Sequence, residues 1–449
     1  MEQENPMGSK PMLPLLVGMA IPPMFSMLIQ SLYNIVDSIF VAQISESALS
    51  AVSIVYPLQN IALSVAVGTG IGLNSYISRK LGAKDMESAN NACIIGFILS
   101  FFHYLLVLVL GMFILSPFIR SFAGNETVYN MGMGYGTIII VFSFGQLLHI
   151  PIEKIFQATG KMMIPMLLQG LGCIINIVLD PILIFGLFGF PAMGVNGAAL
   201  ATVIGQIASF LLAFLALVKG KSGLKIQKFN SSLSGKDTIL QIYKVAIPST
   251  LVMSLPSVLV AGLNALLTQI SVTAVSVFGI YYKLQTFVYM PTNGLIQGFR
   301  PIMGYNYGAG HIKREKEAIG ISFCIVSTIM AIGTLLFFIF PASIMSFFNA
   351  TPEMKEIGIP LLRIISIGFL PSGISIILCS IYESMGNGKT SLLITLLRQI
   401  IIILPLSFAF SRFMGLYGIW VSFPIAEVIT AVVSLILLKK IFKENLKHQ

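Results

Sequence analysis

The sequence predicts an all-α integral membrane protein of twelve transmembrane helices, arranged as two homologous six-helix lobes. Three observations carry that reading. The chain is 56% hydrophobic and only 10% charged, with a mean hydropathy of +0.91. Soluble globular chains carry roughly 25% charged residues, so polarity is too scarce here for a water-facing surface. Apolar runs recur from end to end at the length, about 20 residues, that a helix needs to cross a bilayer. The short alternating segments of a membrane β-barrel are absent. Finally, basic residues concentrate in every second segment between the runs, as they do where successive loops fall on opposite sides of a membrane.

Loop signals divide the chain into spans at 12–43, 48–78, 89–118, 128–156, 163–189, 193–218, 237–270, 274–304, 316–346, 355–384, 390–411 and 415–440. The opening MEQENPMGSKPMLP is acidic and polar before Lys10 and lacks the basic region of a cleaved signal peptide. The first span is therefore expected to act as an uncleaved signal anchor. With the N-terminus in the cytoplasm, 21 of the 27 Lys and Arg residues fall on cytoplasmic segments and helix ends. Four (Arg120, Lys355, Arg363 and Arg412) fall outside, and Lys283 and Arg398 remain inside helices. This split predicts both termini on the cytoplasmic side of a cell inner or plasma membrane. Topology and contact with anionic membrane lipid account for the net charge of +10, so no nucleic-acid partner is needed.

The chain also repeats itself. AIP at 20–22 returns at 246–248, LGAKDM at 81–86 aligns with YGAGHI at 307–312, and ATG at 158–160 aligns with SMG at 384–386, all at an offset of 226. MGVNGAA at 193–199 resembles MGLYGIW at 414–420. An even number of helices per half makes the repeat parallel, with the halves related by an axis along the membrane normal, a known plan for transporters. The expected domains are an N-lobe (1–219), a basic cytoplasmic linker (220–236) and a C-lobe (237–449).

Motifs for other chemistry fail. GNGKTS at 386–391 lacks the first glycine of a phosphate loop, since position 383 is Glu383, and it joins two membrane helices. GTGIG at 68–72 breaks the dinucleotide pattern at Leu73; its glycines suit close helix packing instead. His103, His149, His311 and His448 form no metal-ligand spacing, and His103 and His149 are expected as lone polar contacts in the bundle. Cys93, Cys173, Cys324 and Cys379 lie in apolar stretches and are expected as packing residues. No catalytic triad, nucleotide site or cofactor motif is present, so an ion gradient is the simplest energy source.

Ionisable groups at membrane depth are costly and face a cavity or a partner. The clearest are Asp37 of helix 1, within SLYNIVDSIFVA, and Asp180 of helix 5, within NIVLDP. Helix 1 runs outward to about Ile44, so Asp37 lies ~10 Å below its outer end, and Asp180 lies ~15 Å below the end of helix 5 near Phe190. Tyr135 of helix 4 and Thr202 of helix 6 fall in the same slab of the outer half of the N-lobe. Asn176 precedes Asp180 by four residues and shares its face; Asn34 precedes Asp37 by three. Pro181 removes a backbone donor and frees a carbonyl. Such oxygens suit sodium, with Asp37, Asn176 and Asp180 as ligands. Two close carboxylates in a dry pocket equally suit a shared proton. The blander alternatives are a turn or kink opened by Asp180 before proline, and an Asp37 near the outer interface. Position 37 maps by the repeat to Leu263, and position 180 to the apolar stretch from Ile400 to Leu404, so the architecture does not itself demand acids there. Among weaker candidates, Lys283 and Arg398 are expected to pair with Glu383 or Glu427 or to line the cavity. Glu153 and Arg300, near the cytoplasmic face, are expected as solvated helix ends, with gate or lipid-headgroup contacts as the alternative. The 22 Met, 32 Phe and 14 Tyr are mostly packing and lipid-facing surface, with some available to a promiscuous apolar cavity.

Taken in order, the two AIP openings, YNIVDSIFVA, GIGLNSYISRKLGA, FQATGK, NIVLDPILIFG with MGVNGAALAT, and QGFRPIMGYNYGAG resemble the MATE (multidrug and toxic compound extrusion) transporters, in particular their bacterial MepA-like branch, over nearly the whole chain. The resemblance implies two lobes forming a V around a central cavity. It implies export of cationic or amphiphilic drugs in exchange for Na⁺ or H⁺, without a cofactor and by a monomer. It gives the coupling role to Asp37, Asn176 and Asp180, assisted by Tyr135 and Thr202. Branches with coupling acids in the C-lobe are not matched at the mapped positions, which leaves Glu383 and Glu427 to be placed. A flippase of lipid-linked oligosaccharides, in the same superfamily, would need a strongly cationic cavity, for which only Lys283, Arg398 and Arg300 are available. A membrane-embedded enzyme would need a convergent nucleophile or metal cluster that the sequence lacks. A non-transporting scaffold is the fourth alternative.

Overall fold

The computed structural model describes residues 5–225 and 235–445, with side chains to residue 440. Lys228 of the linker, Lys447 and His448 lie outside the described residues, as does the side chain of Lys443. Regular structure among the described residues is helical throughout. The N-lobe comprises α1 (Met12–Ile44), α2 (Glu46–Gly82), α3 (Met86–Phe122), α4a (Glu126–Val141) with α4b (Phe144–Ala158), α5 (Met163–Phe185) and α6 (Val195–Val218). The C-lobe comprises α7 (Gly235–Thr268), α8 (Val272–Gly308), α9 (Ile312–Ile339), α10a (Pro352–Ser366) with α10b (Phe369–Ser384), α11 (Gly388–Met414) and α12 (Leu416–Asn445). Among the described residues, nine helices and the two bent pairs are long and apolar enough to cross a membrane. The twelfth is α8. It matches α2 in length, 37 residues each, and in repeat position, but Gln285, Asn293, Gln297 and Arg300 lower its hydropathy. Phe102, Val109 and Phe113 of α3 are more than half exposed, the reverse of a soluble fold and the surface lipid requires.

The repeat extends to irregularities that hydropathy does not show. The pair α4a–α4b bends by 44° and the pair α10a–α10b by 50°, at corresponding places in the two halves. The sequence predicted one span at each. At the first break, Ser143 turns its hydroxyl back onto the Ile140 carbonyl at 2.8 Å, a local bond that competes with the helix ladder. In contrast, α1 runs uninterrupted through Pro22 and Pro23. Within α11, Leu397–Ile403 forms a π-helical stretch. Pro405 follows it and has no N–H to give to the preceding turn.

The glycines of GTGIG serve the close packing expected of them. A Cβ on Gly72 would stand 2.6 Å from the Ile242 carbonyl oxygen of α7, and one on Gly68 would stand 2.7 Å from the Thr250 nitrogen. One turn farther, Ser75 donates to the Glu383 carbonyl at 2.5 Å and Arg79 Nη1 to the Met385 carbonyl at 3.1 Å, both across the lobe boundary. Beyond these, a Cβ on Gly82 would collide with the Tyr305 carbonyl and one on Gly308 with the Arg79 carbonyl. The lobes are thus sealed at the end of the bundle that carries the Lys- and Arg-rich connections. Toward the other end of α2, Tyr56 and Ile61 are 58% and 60% exposed. GNGKTS is a helix start: Asn387 accepts the Thr390 N–H at 3.4 Å and caps α11.

Because Gly82 and Gly308 meet backbone carbonyls, a side chain added at either finds no flexible neighbour to yield. Gly82→Val is therefore expected to hold the lobes apart at the basic end. A cysteine placed at Ser75, buried at 0% exposure, would then react with a membrane-impermeant thiol reagent several-fold faster than in the parent, above the background of the native cysteines. Unchanged labelling would show that the seal tolerates a side chain.

Candidate functional site

The polar side chains of the N-lobe converge from five helices. Helices α5 and α6 cross closely because Gly172 and Gly205 face each other; a Cβ on Gly205 would fall 2.5 Å from the Gly172 carbonyl. That approach brings Thr202 to Asn176. Asn176 Nδ2 donates to Asp180 Oδ1 and to Thr202 Oγ1, both at 3.3 Å. Asp180 is fully buried. Asp37 reaches it from α1, half-buried, with its carboxyl in side-chain contact with that of Asp180. Tyr135 of α4a is buried beside both acids, and its hydroxyl accepts from Gln59 Nε2 of α2 at 3.5 Å. The four residues placed in one slab by helical rise, together with Asn176, therefore form one cluster.

Three oxygens of this cluster lack a hydrogen-bond donor among the described residues: Asp37 Oδ1, Asp180 Oδ2 and Asn176 Oδ1. Buried oxygens without donors are expensive, and native structures seldom keep several together. A cation would supply what they lack. Carboxylate, amide and hydroxyl oxygens are hard donors of the kind Na⁺ takes, and two carboxyl groups in contact can equally share one proton.

Two neighbours escaped the sequence reading. Tyr33 precedes Asp37 by four residues and stands beside Asp37, Tyr135 and Asp180; the i, i+4 spacing was a usable signal. Gln59 carried no such signal. Asn34 stands outside the cluster: its side chain is exposed, and its backbone carbonyl accepts from Ser38 Oγ at 2.8 Å. On the other side of Asn176, a cavity of about 80 Å³ extends past Gln169 and Gln206 to His149 and Glu153.

Glu153 and Arg300 are corrections. Neither is a solvated helix end. Lys154 Nζ contacts Glu153 Oε1 at 3.0 Å and donates to Gln157 Oε1 at 3.1 Å. It also reaches across the lobe boundary to Gln297 Oε1 of α8 at 2.8 Å. Arg300 Nη2 binds Glu383 Oε2 at 2.8 Å, with both side chains buried. Ser249 and Ser391 donate to the other Glu383 oxygen at 3.4 and 3.1 Å. Arg398 faces Glu427 at 3.6 Å. Lys283 pairs with neither acid and is exposed. Leu263, the repeat counterpart of Asp37, is fully buried. His103 bridges Thr69 Oγ1 (3.1 Å) and the Tyr243 hydroxyl (2.8 Å), as a bundle contact should. His149 Nε2, in contrast, has no partner among the described residues. Cys93 and Cys173 are buried, but Cys324 is exposed and fills no core.

A sequence model of the MatE family matches residues 22–182 and 248–409, one copy on each half. The chain is 25% identical over 449 residues to a FAD transporter of Shewanella oneidensis, covering 98% of this chain and 97% of the relative. It is 26% identical over 435 residues to the multidrug export protein MepA of Staphylococcus aureus, covering 95% and 93%. Its fold matches that of a solved multidrug resistance MATE family transporter of the MOP superfamily, in an outward-facing conformation, with a TM-score of 0.88 over 96% of both chains at 24% identity. With both repeats matched at the offset the sequence itself shows, the chain belongs to the MatE family of membrane transporters.

Proposed function

We propose that the protein is a secondary active exporter of cationic or amphiphilic drugs, driven by exchange for Na⁺ or H⁺ at the N-lobe cluster. The observation that carries this reading is the group of three donorless oxygens on Asp37, Asp180 and Asn176. Tyr135 and Thr202 complete the site. The relative named as a multidrug export protein supports the cargo class, and the one named as a FAD transporter widens it. The paired arginines of the C-lobe weigh against a flippase for polyanionic lipids, because each faces a glutamate. In this reading the basic end is cytoplasmic, both termini lie there, and the bilayer is the plasma membrane. Residues 1–219 and 237–449 rock as lobes about the linker 220–236, and the monomer is the working unit.

The mechanism follows from differential affinity. Drug enters from the cytoplasm or inner leaflet while the basic end is open. Closure of that end, across Ser75 and Arg79, exposes the cargo to the outside. Cation loading at Asp37 and Asp180 favours the state that releases drug, because a ligand shifts a conformational equilibrium only by its difference in affinity for the two states. The test is efflux of a fluorescent cationic drug from proteoliposomes, under a sodium gradient alone and then a proton gradient alone. Efflux under exactly one gradient names the coupling ion. Efflux under neither would refute the exchange.

A further inference from the structure

The C-lobe contains a cavity of about 380 Å³, within the size range of drug-sized ligand sites. Ile71 of α2 contributes to its wall, so it lies against the lobe boundary. The N-lobe cation site does not touch it. Phe278, Tyr282, Tyr289 and Phe423 give it aromatic surface among aliphatic residues such as Ile296 and Ile376. Two charge pairs border it, and they differ. Arg300 and Glu383 are in tight contact at 2.8 Å, and serines take the remaining carboxylate oxygen.

Arg398 and Glu427 stand 3.6 Å apart, beyond ordinary hydrogen-bond length. Glu427 Oε2, the oxygen nearest the guanidinium, has no hydrogen-bond partner among the described residues. Arg398 has five N–H donors to place. Turning the Gln399 amide satisfies one of them, at 3.2 Å. Arg398 is also on the π-helical stretch Leu397–Ile403, an irregularity that occurs often at functional sites. The two charges thus face each other without a hydrogen bond between them, at the edge of a partly aromatic cavity.

We infer that this cavity is a cargo subsite for planar heteroaromatic rings bearing a lactam or imide edge, with Arg398 donating to the ring carbonyl and Glu427 accepting from the adjacent ring N–H. Such an edge presents an acceptor and a donor side by side, as the gap between the two side chains requires. The aromatic walls stack on the ring faces. A simple cation uses only Glu427 and faces the guanidinium; a simple anion uses only Arg398 and faces the carboxylate. The ring edge satisfies both without adding charge to a cavity whose charges already balance, and its flat faces meet the aromatic part of the lining. The inference rests on the exporter reading for its purpose, but not for its test, which uses no ion gradient.

The chain has one tryptophan, Trp420. It stacks on Phe278 with ring centroids 6.3 Å apart, one ring behind the cavity wall. Lumiflavin absorbs where tryptophan emits, so its binding to the protein in detergent, where no other tryptophan is present, is read as quenching of Trp420. Lumiflavin is expected to bind roughly tenfold or more tightly than 3-methyl-lumiflavin, whose imide nitrogen can no longer donate, in line with the loss of a hydrogen bond to a charged group. Replacing both partners, Arg398→Leu with Glu427→Leu, leaves no lone buried charge and is expected to fold. It should erase the preference between the two flavins. Glu427→Gln is the second variant, should the double one misfold; it keeps an acceptor but not its charge, and should reduce the preference several-fold. Equal binding of the two flavins by the parent protein, or a preference undiminished in the variants, would overturn the assignment.

Discussion

Asp37→Asn is expected to stop gradient-driven drug efflux while leaving the protein as stable as the parent or more so. The two effects have one cause. In the parent, Asp37 Oδ1, Asp180 Oδ2 and Asn176 Oδ1 compete for donors that the described residues do not supply. An asparagine at 37 keeps the shape and one oxygen, removes the negative charge and brings an NH₂ group. That group can donate to Asp180, whose carboxyl it already contacts. The variant thus satisfies internally what the parent satisfies with a cation. Coupled efflux in proteoliposomes should fall by about tenfold or more, the effect of roughly 1.4 kcal/mol of lost differential binding. The sharper readout is thermal. A ligand that binds only the folded state stabilises it by about 2.7 kcal/mol at a hundredfold excess over its Kd. The coupling ion should therefore raise the melting temperature of the parent in detergent and leave that of Asp37→Asn unmoved. Loss of stability without loss of the ion's effect would mean that Asp37 is structural, and that the cation binds elsewhere.

The N-lobe cluster was legible because its signals are local or additive. Depth along a helix is rise times residue number, so Asp37, Tyr135, Asp180 and Thr202 could be placed in one slab before any fold was known. The i, i+4 relation of Asn176 to Asp180 needs only one helix. The repeat added a control in Leu263. Where the reading failed, the missing information was a partner from a distant segment. Glu153 and Arg300 lie near the ends of apolar runs, where charges normally meet water. They are buried because Gln297 reaches Lys154 from the other lobe and because Glu383 lies 83 residues from Arg300. Of the two neighbours one turn before Asp37, Tyr33 joins the cluster, whereas the Asn34 side chain is exposed. The helix breaks at Ser143 and Gly368 and the π-helical turn at Arg398 do not alter hydropathy, so nothing in the apolar pattern marks them.

Removing the carboxylate of Glu383 is expected to be among the most destabilising single changes in the C-lobe. Glu383 ties four other helices to its own at once. Its carboxylate holds Arg300 of α8 at 2.8 Å and takes hydroxyls from Ser249 of α7 and Ser391 of α11, while its backbone carbonyl accepts Ser75 from the N-lobe. Arg300 is 9% exposed and would remain as an unpaired buried guanidinium. Breaking such a pair by deleting one partner costs about 3–5 kcal/mol, whereas replacing both by apolar groups of similar volume is often neutral or stabilising. Glu383→Ala should therefore lower the melting temperature sharply, and Glu383→Met combined with Arg300→Met should recover most of the loss. The same pair of measurements separates structure from coupling. If Glu383 only holds Arg300, the double variant recovers gradient-driven efflux along with stability. If it is a coupling acid, the double variant is stable and does not transport. The geometry favours the first outcome, because each Glu383 carboxylate oxygen already has a partner, unlike the donorless oxygens of the N-lobe cluster.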